Sequence, residues 1–260
     1  MKLGAQFYSI RTETQTAQGL ENSFAKIKEI GYENVQLSAI GPIAAEDIQR
    51  ISNQYELPIV CTHSPYDRIL NDTDALIREH KLYGAETIGL GSLPWSMKDD
   101  FEAMRGAARA LKGPIAKIRD AGLRFAYHNH SFEFIKYGES DIWSLLLEEL
   151  DEMDYILDVF WLNFAGLDPL KVIRSLGRER LVNIHFKDMK RLPDVYGGDM
   201  AEGAKLICPC GEGVTDFKPI IRLCDELSIP NALVEQDNAP ELGDVFEQMR
   251  TSYNNLKPLF

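Results

Sequence analysis

Eight short apolar runs, each followed by a longer stretch of helical period, narrow what this chain folds into more than any other feature. The runs cover residues 3–10, 34–40, 58–63, 87–93, 123–128, 155–160, 181–186 and 232–236. Helix-like segments lie between them. Residues 21–30 carry Phe24, Ile27 and Ile30 on one face; others are 142–150, 167–176 (opened by Asp168-Pro169) and 217–227. Gly31, Gly84 and Gly122 stand where helix C-caps are expected. Strands alternating with helices argue for a parallel sheet. Eight such units in 260 residues argue for an α/β fold closed as a single (β/α)8 TIM barrel over 1–260 rather than an open sheet. The weakest stretch, residues 191–212, is long enough to fold over the barrel mouth as a lid.

Composition bounds the function. Hydrophobic residues make up 45% of the chain, enough for a sizeable core, and the net charge is -12. An acidic surface repels phosphate backbones and anionic membranes, so neither nucleic acid nor membrane is an expected partner. The chain opens directly on strand-like residues rather than a leader, which leads to a cytoplasmic expectation. Cys61 and Cys224 read as buried thiols, and Cys208-Pro209-Cys210 as a loop with two reducible ones. His80, within a helical stretch, reads as a surface residue.

A barrel concentrates chemistry at the C-terminal ends of its strands. The fifth run ends in Tyr127-His128-Asn129-His130-Ser131-Phe132-Glu133-Phe134, and the sixth carries Asp158. The seventh ends in His185-Phe186-Lys187-Asp188, the eighth in Glu235-Gln236-Asp237. Singly, Asp158 reads equally as a helix cap and His185 as a core histidine. Together, carboxylates and imidazoles from four successive strands converge on one rim, and such a cluster calls for a cation.

These motifs, with Gly211-Glu212-Gly213 and Asp216-Phe217 between the last two, resemble the sugar phosphate isomerase/epimerase superfamily, the xylose-isomerase-like barrels. The resemblance runs the length of the chain. It implies one divalent ion held by Glu, Asp, His and Glu from the fifth to eighth strands. Asp158, His185 and Glu235 match three of these ligands. At the fourth position, where many members carry Glu-Asn-His, this chain has His128-Asn129-His130. Either His128 takes that place or Glu133 reaches back, and Glu133 is the expected ligand, with His128 near substrate. Mn²⁺ is expected ahead of Zn²⁺, with Mg²⁺ and Co²⁺ also compatible, because three ligands would then be carboxylates.

The implied activity is isomerisation or epimerisation of a keto or aldo sugar by proton abstraction next to a metal-bound carbonyl. Glu235 is the expected base, with His128 or Glu133 on the opposite face. His63, Trp95, His130, Trp161, Lys187 and Asp188 are candidates for substrate contact, the tryptophans by stacking on a sugar face. A lyase eliminating a group β to a keto function would use the same machinery. A metal-dependent endonuclease of the same superfamily is disfavoured by the acidic charge and the few histidines. A non-catalytic sugar-binding barrel is the remaining alternative. No Gly-rich phosphate cradle follows the last two strands, which favours an unphosphorylated small-molecule carbohydrate. Homo-oligomerisation is compatible with the sequence.

Overall fold

A computed structural model describes all 260 residues. Its barrel strands are β1 (Lys2–Gln6), β2 (Val35–Ser38), β3 (Ile59–His63), β4 (Thr87–Leu90), β5 (Arg124–His128), β6 (Asp154–Asp158), β7 (Leu181–Phe186) and β8 (Asn231–Val234). They close in sequence order, β8 pairing back onto β1, and every ladder is parallel. The expected α/β barrel is therefore the observed one.

Strand ends depart from the apolar runs where a side chain redirects the backbone. The first run stops at Gln6, whose side chain accepts the Tyr8 N–H and starts a helical turn over Phe7–Glu13. The sixth stops at Asp158, which caps the helix Val159–Phe164. Gly31 and Gly84 occupy left-handed C-caps as expected.

Side chains alternate between the faces of each strand. Outward positions such as Leu3, Val35, Ile88, Phe125, Tyr155 and Ile184 pack against the helices in one large core. The inward set is different in kind. Asn34 donates to Asn231 at 2.7 Å, and Asn231 to Asn183 at 2.8 Å, forming a chain of amides across the barrel interior. Gly4 makes room for it, since a Cβ there would lie 1.9 Å from Asn34 Oδ1. One step further along the strands come Gln6, Gln36, His63, His128, Asp158 and His185, with Glu235 just past the end of β8. The main apolar packing thus sits outside the barrel, and inside it the amides and the polar side chains at the mouth share the space with a small apolar cluster of Cys61, Ala126, Ile156 and Val182.

Residues 191–212 contain the helix Met200–Ala204 and the strand Ile207–Cys208, which pairs antiparallel with Asp188–Met189. Gly197 N–H bonds the Phe164 carbonyl at 2.7 Å, and residues 197–201 form part of the wall of the cleft above the barrel. All four cysteines are buried and unpaired, as expected for Cys61 and Cys224, and the Cys208 and Cys210 thiols are likewise buried. No helix is long and apolar enough to cross a membrane.

His80 is buried, not superficial. Its Nδ1 bonds the Leu76 carbonyl at 2.7 Å and its Nε2 meets the Thr62 hydroxyl at 2.8 Å, tying helix Thr73–Tyr83 to β3. Burial pushes its pKa from 6.5 down to about 4. The folded state then binds fewer protons than the unfolded one between those values, so stability is lost as pH falls from 6.5 towards 4. From pH 7 to pH 5 this one group should remove about 2 kcal/mol. Urea unfolding of His80→Gln at both pH values should show a correspondingly smaller loss than the parent; an equal loss would refute the assignment.

Candidate active site

Four side chains from the last four strands come together at the mouth: His128, Asp158, His185 and Glu235 are buried, and one ligand atom of each lies within 4.8 Å of the others. His128 Nε2 is 3.3 Å from Asp158 Oδ2, and His185 Nδ1 is 2.9 Å from Glu235 Oε2. The remaining polar atom of each is held from behind. Asp158 Oδ1 accepts the Trp161 N–H at 3.0 Å, and Glu235 Oε1 accepts from Gln6 at 2.9 Å. His128 Nδ1 faces the Gly91 carbonyl at 3.2 Å, and His185 Nε2 faces Gln36 Oε1 at 2.8 Å. With the ring proton held on the outer nitrogen by its carbonyl partner, the inner nitrogen, now beside a carboxylate, would be free to ligate an ion. Asp158 is thus both helix cap and cluster member; the two readings of it were compatible.

Lys187, a candidate for substrate contact, also supplies a buried charge to this cluster. Its buried ammonium lies 3.0 Å from Asp158 Oδ2, 3.0 Å from Glu235 Oε2 and 2.9 Å from Asp237 Oδ1. Burial opposes its charge, but the three carboxylates outweigh that and hold its pKa well above an ordinary lysine's. Burial would likewise raise Asp158, yet Lys187 and His128 bring it down to about 2. Glu235 is held well below its usual range, Lys187 and His185 overcoming burial. Asp237 goes the other way, pushed up to about 6 by burial. Three carboxylates still outnumber one ammonium. Against the cost of burial, the carboxylates also draw a proton towards His128 and raise its pKa. A divalent cation at the same point would answer that excess negative charge, and the mixed imidazole–carboxylate donor set suits one. The residues fit a metal.

Glu133 is not in this group. Its Oε1 accepts from the Tyr127 hydroxyl at 2.7 Å and its Oε2 from the His130 N–H at 2.9 Å, and burial pushes its carboxyl up to about 7. The structure therefore brings His128, rather than the expected Glu133, to the other three. Asp188 also departs from its expected place against substrate. It is fully buried and accepts four backbone N–H groups, from Met189, Thr215, Gly211 and Gly213 at 2.7–3.0 Å, which fix the loop after β7.

His63, Trp95, His130, Trp161 and Lys187 do line the cleft. Burial and the neighbouring imidazoles lower His63 and His130 well below 6.5, so both are neutral. His63 Nε2, His130 Nδ1 and Trp161 Nε1 are buried without hydrogen-bond partners. The residues missed from sequence are those behind the cluster: Gln6, Gln36, and Asn129, whose Oδ1 accepts the Asp158 N–H at 2.9 Å. The signal was present, because Gln6 and Gln36 are polar residues at inward parity within apolar runs.

The model of the xylose isomerase-like TIM barrel family matches residues 24–250. No curated protein matches. Several solved structures are similar. A sugar phosphate isomerase/epimerase from Parabacteroides distasonis is 22% identical, over 98% of this chain and 95% of that one, with a TM-score of 0.73. The probable 3-DHS dehydratase involved in petrobactin synthesis from Bacillus anthracis is 14% identical, over 99% of each chain, with a TM-score of 0.74. The IOLI protein, whose structure has a binding zinc atom, is 11% identical, over 100% and 98%, with a TM-score of 0.72. At these identities the likeness is one of fold.

Asp188 gives the sharpest structural test. Asp188→Ala strands four backbone donors at once and should cost about 3–5 kcal/mol in urea unfolding, with faster proteolysis of residues 190–215. A cost below about 1 kcal/mol would show that the loop is held by other contacts.

Proposed function

We propose a sugar-transforming function for this chain, which belongs to the xylose isomerase-like TIM barrel family: a metal-dependent isomerase or epimerase of a keto or aldo sugar. One observation carries the reading. Four side chains each turn one ligand atom to a common point while a separate partner holds the other atom. Such bracing is what orients metal ligands.

In this reading His128, Asp158, His185 and Glu235 hold the ion. When bound, it supplies Lewis-acid polarisation of a substrate carbonyl. Two imidazoles now stand where one was expected, so Zn²⁺ draws level with Mn²⁺. Glu235 lines the cleft and, held ionised, takes the proton from the carbon next to the carbonyl. Lys187, between Glu235 and Asp237, keeps positive charge beside the oxygen on which negative charge develops. Return of that proton by Glu235 to the next carbon gives the isomer, and protonation from water on the opposite face, with Glu235 then giving its proton to the hydroxide left behind, gives the epimer. His63 Nε2, His130 Nδ1 and Trp161 Nε1 would bind the sugar's hydroxyls. Glu133, enclosed by Tyr127 and His130, would position the strand end rather than handle protons. A neutral sugar fits better than a phosphorylated one, given the net charge of -12 and no phosphate cradle.

Metal analysis and solvent deuterium exchange over a panel of keto and aldo sugars test this. The purified protein should hold about one divalent ion. His128→Ala should lose it, while Glu133→Gln keeps it. Glu235→Gln should lose roughly 10²–10⁴ in exchange rate, far more than in metal affinity. Metal retained by His128→Ala, or exchange unaffected in Glu235→Gln, would overturn the assignment.

A further inference from the structure

Four cations line the cleft above the cluster, and three of them have acidic partners. Lys187 is enclosed by Asp158, Glu235 and Asp237. Lys98 pairs with Asp99 at 2.6 Å, and Lys205 pairs with Glu202. Arg11 is the exception. It is half-buried in the cleft wall, and no carboxylate oxygen lies within 4.0 Å of its guanidinium. The other acids of the wall, Asp199 and Glu241, are exposed, where water screens them.

Arg11 is nevertheless fixed in place. Its Nη1 donates to the Tyr8 carbonyl at 2.8 Å and to the Asp237 carbonyl at 2.9 Å, and the guanidinium carbon lies 4.2 Å from the centroid of the Tyr8 ring. Nη1 is thereby used up, while Nε and Nη2, the pair that forms a side-on fork, donate to no protein atom. A planar fork held still before binding, with its donors free, receives a carboxylate through two parallel hydrogen bonds.

The fork also stands beside the reacting groups. Asp237, whose main chain anchors Arg11, has its carboxylate 2.9 Å from Lys187, and Lys187 is 3.0 Å from Glu235. A divalent ion and Lys187 together balance the charges of Asp158, Glu235 and Asp237. The charge of Arg11 is then left for the substrate.

We propose that the substrate is a sugar acid, its carboxylate gripped by Arg11 and its carbonyl end turned to Glu235. This rests on the sugar-transforming reading above and names the class of sugar. A single carboxylate needs one fork and no phosphate cradle, so it suits an unphosphorylated substrate. Arg11 sets which end of the chain faces Glu235.

Calorimetric titration of the metal-loaded protein with hexuronates, with the hexoses of the same configuration and with the corresponding hexose phosphates tests the fork. A hexuronate should bind about tenfold or more tighter than its hexose, and tighter than the phosphate. Arg11→Gln should erase the preference for the acid over the hexose. Arg11→Lys, which keeps the charge without the fork, should retain only part of it. A purely structural role for Arg11 would weaken acid and hexose together and leave their ratio unchanged. Equal affinity for acid and hexose, tighter binding of the phosphate, or a preference that survives in Arg11→Gln would overturn the sugar-acid inference and leave the sugar reading standing. If none of the three classes binds, the sugar reading itself fails and the inference falls with it.

Discussion

Excess negative charge, buried at one point, is the constraint on which the rest of this molecule depends. Asp158 and Glu235 are brought within reach of each other at the barrel mouth, with Asp237 beside them and one buried ammonium to offset them. Two carboxylates share a buried site at close range only when one is protonated or a cation lies between them. Lys187 meets part of that demand. The inward-facing nitrogens of His128 and His185 complete a donor set that a divalent ion would satisfy.

Convergence needs a rigid support, and the barrel provides it in layers. The amide chain of Asn34, Asn231 and Asn183 crosses the interior, and Gln6 and Gln36 stand above it with their amides turned to Glu235 and His185. Each bond fixes a rotamer one layer higher. Tyr127 and Glu133 brace the segment after β5 in the same way, and Asp188 gathers the loop after β7. The large apolar core lies outside the strands, while the inner face carries the polar chemistry together with a small apolar cluster of Cys61, Ala126, Ile156 and Val182.

The fold was legible because eight alternations of strand and helix admit few closed arrangements. Three of the four converging residues, Asp158, His185 and Glu235, were legible because strand ends in a barrel share one rim. His128 against Glu133 was not. Both lie within six residues of each other, and only the three-dimensional path of the turn shows that Glu133 folds back under Tyr127. Lys187 was legible as a rim residue from its position past the seventh strand, but its carboxylate partners, which come from the sixth and eighth, were not. His80 followed a surface periodicity, yet a hydroxyl from the neighbouring strand, Thr62, satisfies it in the interior. Side-chain pairing between distant segments is what one-dimensional patterns carry least well.

The central claim is that two imidazoles and two carboxylates surround a single point. X-ray absorption spectroscopy of the zinc-loaded protein reads that donor set directly. The expected result is an all-nitrogen/oxygen shell near 2.0–2.2 Å with outer scattering from two imidazoles and none from sulfur. A shell with one imidazole and three carboxylates would restore Glu133 as the ligand, and a shell without imidazole would contradict the account altogether.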